Sequence, residues 1–131
     1  MLQINENNNT TQIEKNRTFQ RVLAMHDLSG LGRSSLMAIT PVLSVMGIQV
    51  CPVPTAVLST QTSGFTDYTF VDLTETIRAY LAHWKQLGMD FDCIYSGFMS
   101  TVEQMEIHIG VTVSPQPRMT PPSTWVMDMA I

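Results

Sequence analysis

Val22-Leu23-Ala24-Met25-His26-Asp27-Leu28-Ser29-Gly30-Leu31-Gly32-Arg33-Ser34-Ser35 decides how the chain is read. A short apolar run passes into a polar, glycine-containing turn, and residues 36–46 then read as a helix. Strand, turn and helix in that order place polar side chains at the carboxyl edge of a parallel sheet, where α/β folds bind ligands. Asp27, at the end of the strand, either accepts a hydrogen bond from a ligand hydroxyl or ring N–H or caps its own turn. Ser29 and Gly32 offer a hydroxyl and backbone amides at a helix N-terminus. The glycine spacing is that of neither a Walker A loop nor a dinucleotide fingerprint. His26 reads as a strand-end residue rather than a base, since the spacings support no Ser-His-Asp or Cys-His arrangement.

Working outward, Ser34 or Ser35 can cap the helix, Gly47 ends it, and Pro41 inside it predicts a kink. Residues 48–53 read as a second strand, which Pro52 and Pro54 push toward a sheet edge or a strand exit. Thr55-Ala56-Val57-Leu58 runs into a hydroxyl-rich loop at residues 59–64, either a solvated turn or a binding segment. Asp72-Leu73-Thr74-Glu75 fits a helix cap, and Leu73, Ile77, Tyr80, Leu81, Trp84 and Leu87 follow at helical spacing up to Gly88. His83 and Lys85 lie off that stripe and read as surface residues. Cys93-Ile94-Tyr95 reads as a third, buried strand that breaks at Ser96-Gly97-Phe98. Ser100 or Thr101 can then cap a last helix with Val102, Met105 and Ile109 on its apolar face. The alternation predicts an α/β fold with a mainly parallel sheet flanked by helices.

The ends differ in character. Residues 1–20 are rich in Asn, Gln, Thr and Glu and predict a disordered extension. Residues 111–131 carry Pro115, Pro117, Pro121 and Pro122, and the strand due there has no periodic signal.

The 131 residues suffice for one domain. With a net charge of −4, no Lys/Arg cluster and 44% hydrophobic residues, the chain reads as an acidic globular protein with no nucleic-acid surface. Cys51 and Cys93 have no partner at ligand spacing and read as buried free thiols. The ten methionines read as core filler. The sequence has neither a signal-peptide apolar region nor a run of about 18 apolar residues, which predicts a cytoplasmic protein with no membrane partner.

Four segments in order carry a resemblance. Residues 25–33 (Met-His-Asp-Leu-Ser-Gly-Leu-Gly-Arg), 46–50 (Met-Gly-Ile-Gln-Val), 54–65 and 95–104 resemble the N-terminal part of pyridoxal/pyridoxamine kinases, which belong to the ribokinase-like superfamily. The resemblance implies a three-layer ribokinase-like fold, of which residues 21–110 form the N-terminal part. It also implies ATP-dependent, Mg2+-assisted phosphorylation of the 5′-hydroxymethyl group of a vitamin B6 vitamer, by an enzyme that is often homodimeric. By the same resemblance Asp27 meets the ring substituents, Thr62 adds a polar contact, Ser29 serves the turn and Phe98 lies against the ring. The family's nucleotide pocket, metal-associated acidic residues and catalytic Asp fall in a C-terminal half with no counterpart here. No catalytic residue is therefore expected in this chain, and no useful turnover from it alone. A hydroxymethylpyrimidine kinase of the same superfamily, or a non-catalytic binding module, are the alternatives.

Residues 125–131 must be encoded as TGG GTN ATG GAY ATG GCN ATH. Read one base earlier they give a glycine-alternating run similar to the family's Asp-Pro-x-Met/Leu-Gly-Asp motif. The expectation is a frameshift between about residues 107 and 115, which the downstream nucleotide sequence tests.

Overall fold

The computed structural model describes residues 18–111. The expected N-terminal extension lies largely, and the divergent tail with its frameshift almost wholly, outside the described residues. Seven elements follow in order: β1 (Arg21–Leu31), α1 (Ser35–Val45), β2 (Gln49–Thr60), β3 (Phe70–Asp72), α2 (Thr74–Gln86), β4 (Cys93–Ser96) and α3 (Val102–Ile109). They form one four-stranded sheet in the order β3-β2-β1-β4. β1 is parallel to both β2 and β4, and β3 runs antiparallel to β2. The expected α/β architecture is present, ribokinase-like in form, with one antiparallel strand added.

Right-handed crossovers put α1 and α2 on opposite faces of this sheet, because β1 leads to β2 on one side and β2 back past β1 to β4 on the other. The period of two along β1 matches. Leu23 and Met25 join Val53, Ile77 of α2 and Phe91 in the core. Buried Val22 and Ala24 are left to the face where α1 packs on β1 and β2, with Leu36 buried.

The largest departure from the sequence reading is at the deciding stretch. β1 does not stop near Met25 but pairs as far as Leu31, because β2 also continues past Val53 to Thr60. Leu28 pairs with Val57, Ser29 with Leu58 and Leu31 with Thr60, beyond a register shift between His26 and Leu28. Satisfying the backbone groups of both strands outweighs the turn preference of Ser29 and Gly30. The turn shrinks to residues 32–34, and Asp27 sits at the bulge within the strand rather than at its end. Ser59 and Thr60, expected in the loop, belong to β2.

Pro52 and Pro54 are tolerated for a geometric reason. Gln49 donates its N–H to Gln20 O at 2.9 Å. In a strand alternate N–H groups face opposite neighbours, so the proline nitrogens at 52 and 54 face away from β1. β3 pairs only with Ala56, Val57 and Leu58, so that side is open at the prolines. β3 itself has no apolar alternation, and its three residues are exposed.

Asp72 supplies the expected cap, accepting from Thr74 N at 2.9 Å, although Leu73 is the residue that flanks the helix. Ile77 is buried and Leu81 and Trp84 pack on the core, whereas Tyr80 and Leu87 are exposed, as are His83 and Lys85. On α3 the apolar face is not the expected one. Val102 is 70% exposed and Ile109 80%, while Gln104 is fully buried and Ile107 packs on the core. The hydrogen bonds Gln104 makes set the helix rotation, against the weaker pull of three apolar residues. β4 is half-buried rather than buried, because it is the outermost strand of the described sheet. Cys51 and Cys93 are in no disulfide and are likewise only partly buried.

Candidate functional site

The bulge in β1 turns the Asp27 carboxylate into a hub. Ser29 Oγ donates to Oδ2 at 2.8 Å, Ser35 Oγ donates to Oδ1 at 2.6 Å, and His26 Nδ1 lies 2.8 Å from Oδ1. Asp27 is 7% exposed and Ser29 1%. A carboxylate has about four acceptor positions, so the three internal partners leave one, on Oδ2. Asp27 therefore fixes its own turn, the second of the two sequence readings, and one acceptor position on Oδ2 carries no internal partner.

Burial by itself would raise the Asp27 pKa, but hydrogen bonds from His26, Ser35 and Ser29 outweigh it and hold the carboxyl below its ordinary value of 3.8. The folded value is depressed, so Asp27 contributes stability that is fully present above the unfolded value and is lost as pH falls through the folded one. Urea unfolding midpoints of the wild type should fall more steeply from about pH 5 to about pH 3 than those of Asp27→Asn. Parallel pH curves for the two proteins would refute this role.

Ser35 opens α1 at a φ of +58°, a left-handed conformation unusual for a residue with a side chain. The strain is set against its hydrogen bond to Asp27. Ser34, the N-cap, makes no side-chain capping bond. Gly32, at φ +120°, lets the turn pass beside Gln61, whose side chain lies within 2.9 Å of where a Cβ would be.

Phe98 reaches the cluster from the other neighbour of β1. Its N–H is 3.3 Å from His26 Nδ1 and its carbonyl accepts from Thr55 Oγ1 at 2.8 Å. Phe98 itself is 43% exposed. The fold thus brings Asp27, Ser29 and Phe98 together. Ser29 is buried with its hydroxyl on Asp27. Thr62 is exposed on the loop that starts where Gln61 donates to Leu31 O at 2.9 Å, four residues along β1 from Asp27, and is not brought into contact with the cluster.

Sequence reasoning missed His26, Thr55, Gly97 and Gln104. Gln104 Nε2 reaches Thr55 O at 2.9 Å, Thr74 Oγ1 at 3.0 Å and Asp72 Oδ2 at 3.1 Å, and its Oε1 accepts from Ser100 N at 2.9 Å. Ser100 Oγ also donates to Asp72. The segment from Phe98 to Ser100 is thereby held to β2 and to the start of α2. A signal was present: Thr101-Val102-Glu103-Gln104 has the spacing of a capping box, and Thr101 Oγ1 accepts from Gln104 N at 3.1 Å.

Among the described residues no group of three or more His, Cys, Asp or Glu could hold a metal ion, so they offer no set for Mg2+. No helix among them is long and apolar enough to cross a membrane. A groove of about 580 Å3 lies between α2, α3 and Phe91, and none of Asp27, Ser29, Thr62 and Phe98 lines it.

Fold and site together define an α/β protein of the ribokinase-like kind, with a polar hub at a bulge in its first strand. In particular, the chain carries part of a pyridoxal kinase-like fold, matching the N-terminal portion. A candidate phosphomethylpyrimidine kinase from Bacteroides thetaiotaomicron, crystallised with pyridoxal, is 45% identical, with a TM-score of 0.67, over 70% of this chain and 32% of its own. Pyridoxal kinase from Lactobacillus plantarum is 33% identical, with a TM-score of 0.63, over 69% of this chain and 32% of its own. Pyridoxal kinase from Trypanosoma brucei, 18% identical over 68% of this chain and 33% of its own at a TM-score of 0.58, shares the fold. The chain thus spans about a third of the length of these proteins. No family model matches it, and no curated protein matches it.

Proposed function

We propose that this chain forms the vitamin-binding side of a B6 kinase cleft, serving ATP-dependent phosphorylation of the 5′-hydroxymethyl group of pyridoxal, pyridoxamine or pyridoxine. The observation that carries the reading is the Asp27 carboxylate, nearly buried at the bulge in β1 with one acceptor position left on Oδ2, together with the exposed Phe98, whose backbone N lies 3.3 Å from the adjacent His26 Nδ1. An aromatic ring bearing N–H and O–H donors fits that pair: a donor meets Oδ2 and the ring face lies on Phe98. Thr62 supplies a contact from the rim. The relative from Bacteroides thetaiotaomicron, solved with pyridoxal, supports the same ligand class.

Transfer of the phosphoryl group needs a nucleotide, charge neutralisation at the phosphates and a base, and none of these is assigned to the described residues. What they do is bind and orient the vitamer. Two cysteines outside any disulfide are in keeping with a reducing, cytoplasmic setting.

Titration of the 131-residue chain with pyridoxal, without ATP, tests the reading. Binding is expected at a Kd of roughly 0.1–1 mM, the affinity of a site closed on one side only. Asp27→Asn should weaken it about tenfold. Adding ATP and Mg2+ should yield no pyridoxal phosphate. If a hydroxymethylpyrimidine displaces pyridoxal and binds more than tenfold tighter, the substrate assignment falls to that alternative.

A further inference from the structure

His26 was read from the sequence as a strand-end residue, and its surroundings give it another role. Its ring is held on every side. Nδ1 lies 2.8 Å from Asp27 Oδ1, 2.9 Å from Asp27 N and 3.3 Å from Phe98 N. The ring stacks on Tyr95, centroids 6.2 Å apart and planes at 25°, and lies so close to Gly97 that a Cβ there would be 2.0 Å from it. Its side chain is 13% exposed.

Nδ1 carries either a lone pair or a proton. Unprotonated, it accepts from the N–H groups of Phe98 and Asp27; protonated, it donates to the Asp27 carboxylate. One atom thus serves in turn the two groups that a ligand would touch, one on β1 and one on the segment after β4. The groups facing the ring that can titrate or carry charge are the Asp27 carboxylate, bonded to it, and the Tyr95 phenol, whose ring is stacked on it.

We infer that His26 is a positioning residue whose Nδ1, as acceptor from the N–H groups of Asp27 and Phe98, ties the segment after β4 to β1 at Asp27 and so sets the width of the ligand slot. It acts through those two residues and makes no ligand contact itself. Only the ligand part of this inference rests on the B6 reading above; the link between the strands does not.

Two variants test it. His26→Phe keeps the ring, its stacking on Tyr95 and its packing against Gly97 but removes Nδ1. His26→Asn returns a polar atom near the position of Nδ1. In the ligand-free chain, hydrogen exchange of the peptide containing Phe98 should speed up about fivefold or more in His26→Phe and return toward wild type in His26→Asn. Pyridoxal affinity should follow, falling about tenfold in the first variant and recovering in the second. Thermal melts establish that both variants fold. If exchange at Phe98 is the same in wild type and His26→Phe, the link is refuted. If exchange responds as expected but wild type binds no pyridoxal, the link stands and the B6 assignment is lost.

Discussion

Gly97→Ala should destabilise the chain by about 1–3 kcal/mol, the cost of forcing a methyl group into a filled space. The added Cβ would lie 2.0 Å from His26 Cδ2 and Nε2, far inside contact distance. A side-chain tip elsewhere could swing away. This ring cannot do so cheaply, because Asp27 and Tyr95 hold it on two other sides. Gly97 does not have a positive φ, so the penalty is steric rather than one of backbone strain. Urea unfolding of Gly97→Ala, His26→Ala and the double variant forms a cycle in which the coupling should exceed about 1 kcal/mol, with the double variant recovering much of the loss. A change within about 0.5 kcal/mol for Gly97→Ala alone would show that the ring is not fixed there. The same substitution should weaken pyridoxal binding, since Gly97 precedes Phe98 and shifts with it.

Gln104→Leu should cost about 2–4 kcal/mol with almost no change in volume. Leucine fills the space of the fully buried glutamine, so no cavity forms and the loss reports polar partners that each lose a hydrogen bond, although Thr55 O keeps that from Leu73 N and Asp72 Oδ2 that from Ser100 Oγ. Those partners are Thr55 O, Thr74 Oγ1, Asp72 Oδ2 and Ser100 N. The Thr101 cap and the Asp72 cap of α2 remain, which keeps both helices in place and confines the damage to the segment at 98–100. Denaturant unfolding gives the loss, and hydrogen exchange of that segment shows where it falls. A loss below about 0.5 kcal/mol would mean that water replaces the glutamine without penalty.

The two substitutions act on one structural device from opposite sides. Thr55 and Gln104 tie the segment after β4 to β2, and His26 ties it to β1. A ligand slot between β1 and that segment needs both ties, because a loop held at one end alone would place Phe98 too loosely to be worth an aromatic contact.

Much of this was legible without coordinates. Val22 to Met25 reads as buried and is buried; Ile77 and Trp84 fall on the core face of α2 at the predicted spacing; Gly47 and Gly88 follow their helices at positive φ. These are local properties, since apolar period and backbone freedom act within a few residues. The ordered segments around Asp27, Thr62 and Phe98 likewise carried the resemblance by residue identity alone. The face of α3 was misread because Val102, Met105 and Ile109 look like a core stripe, whereas Gln104 reaches three partners distant in sequence, Thr55, Asp72 and Thr74. A buried side-chain hydrogen bond has no period to detect.

The sequence by itself determined the class of fold, the order of its helices and parallel strands, and the neighbourhood of the site, because each follows from side chains acting on their near neighbours. The tertiary structure alone decided the rest. Pairing with β2 carried β1 through a stretch whose own residues favour a turn, and the bulge this produced at Asp27 gathered Ser29, Ser35 and His26 around one carboxylate. That gathering depends on the register between strands about 28 residues apart, which no local preference encodes.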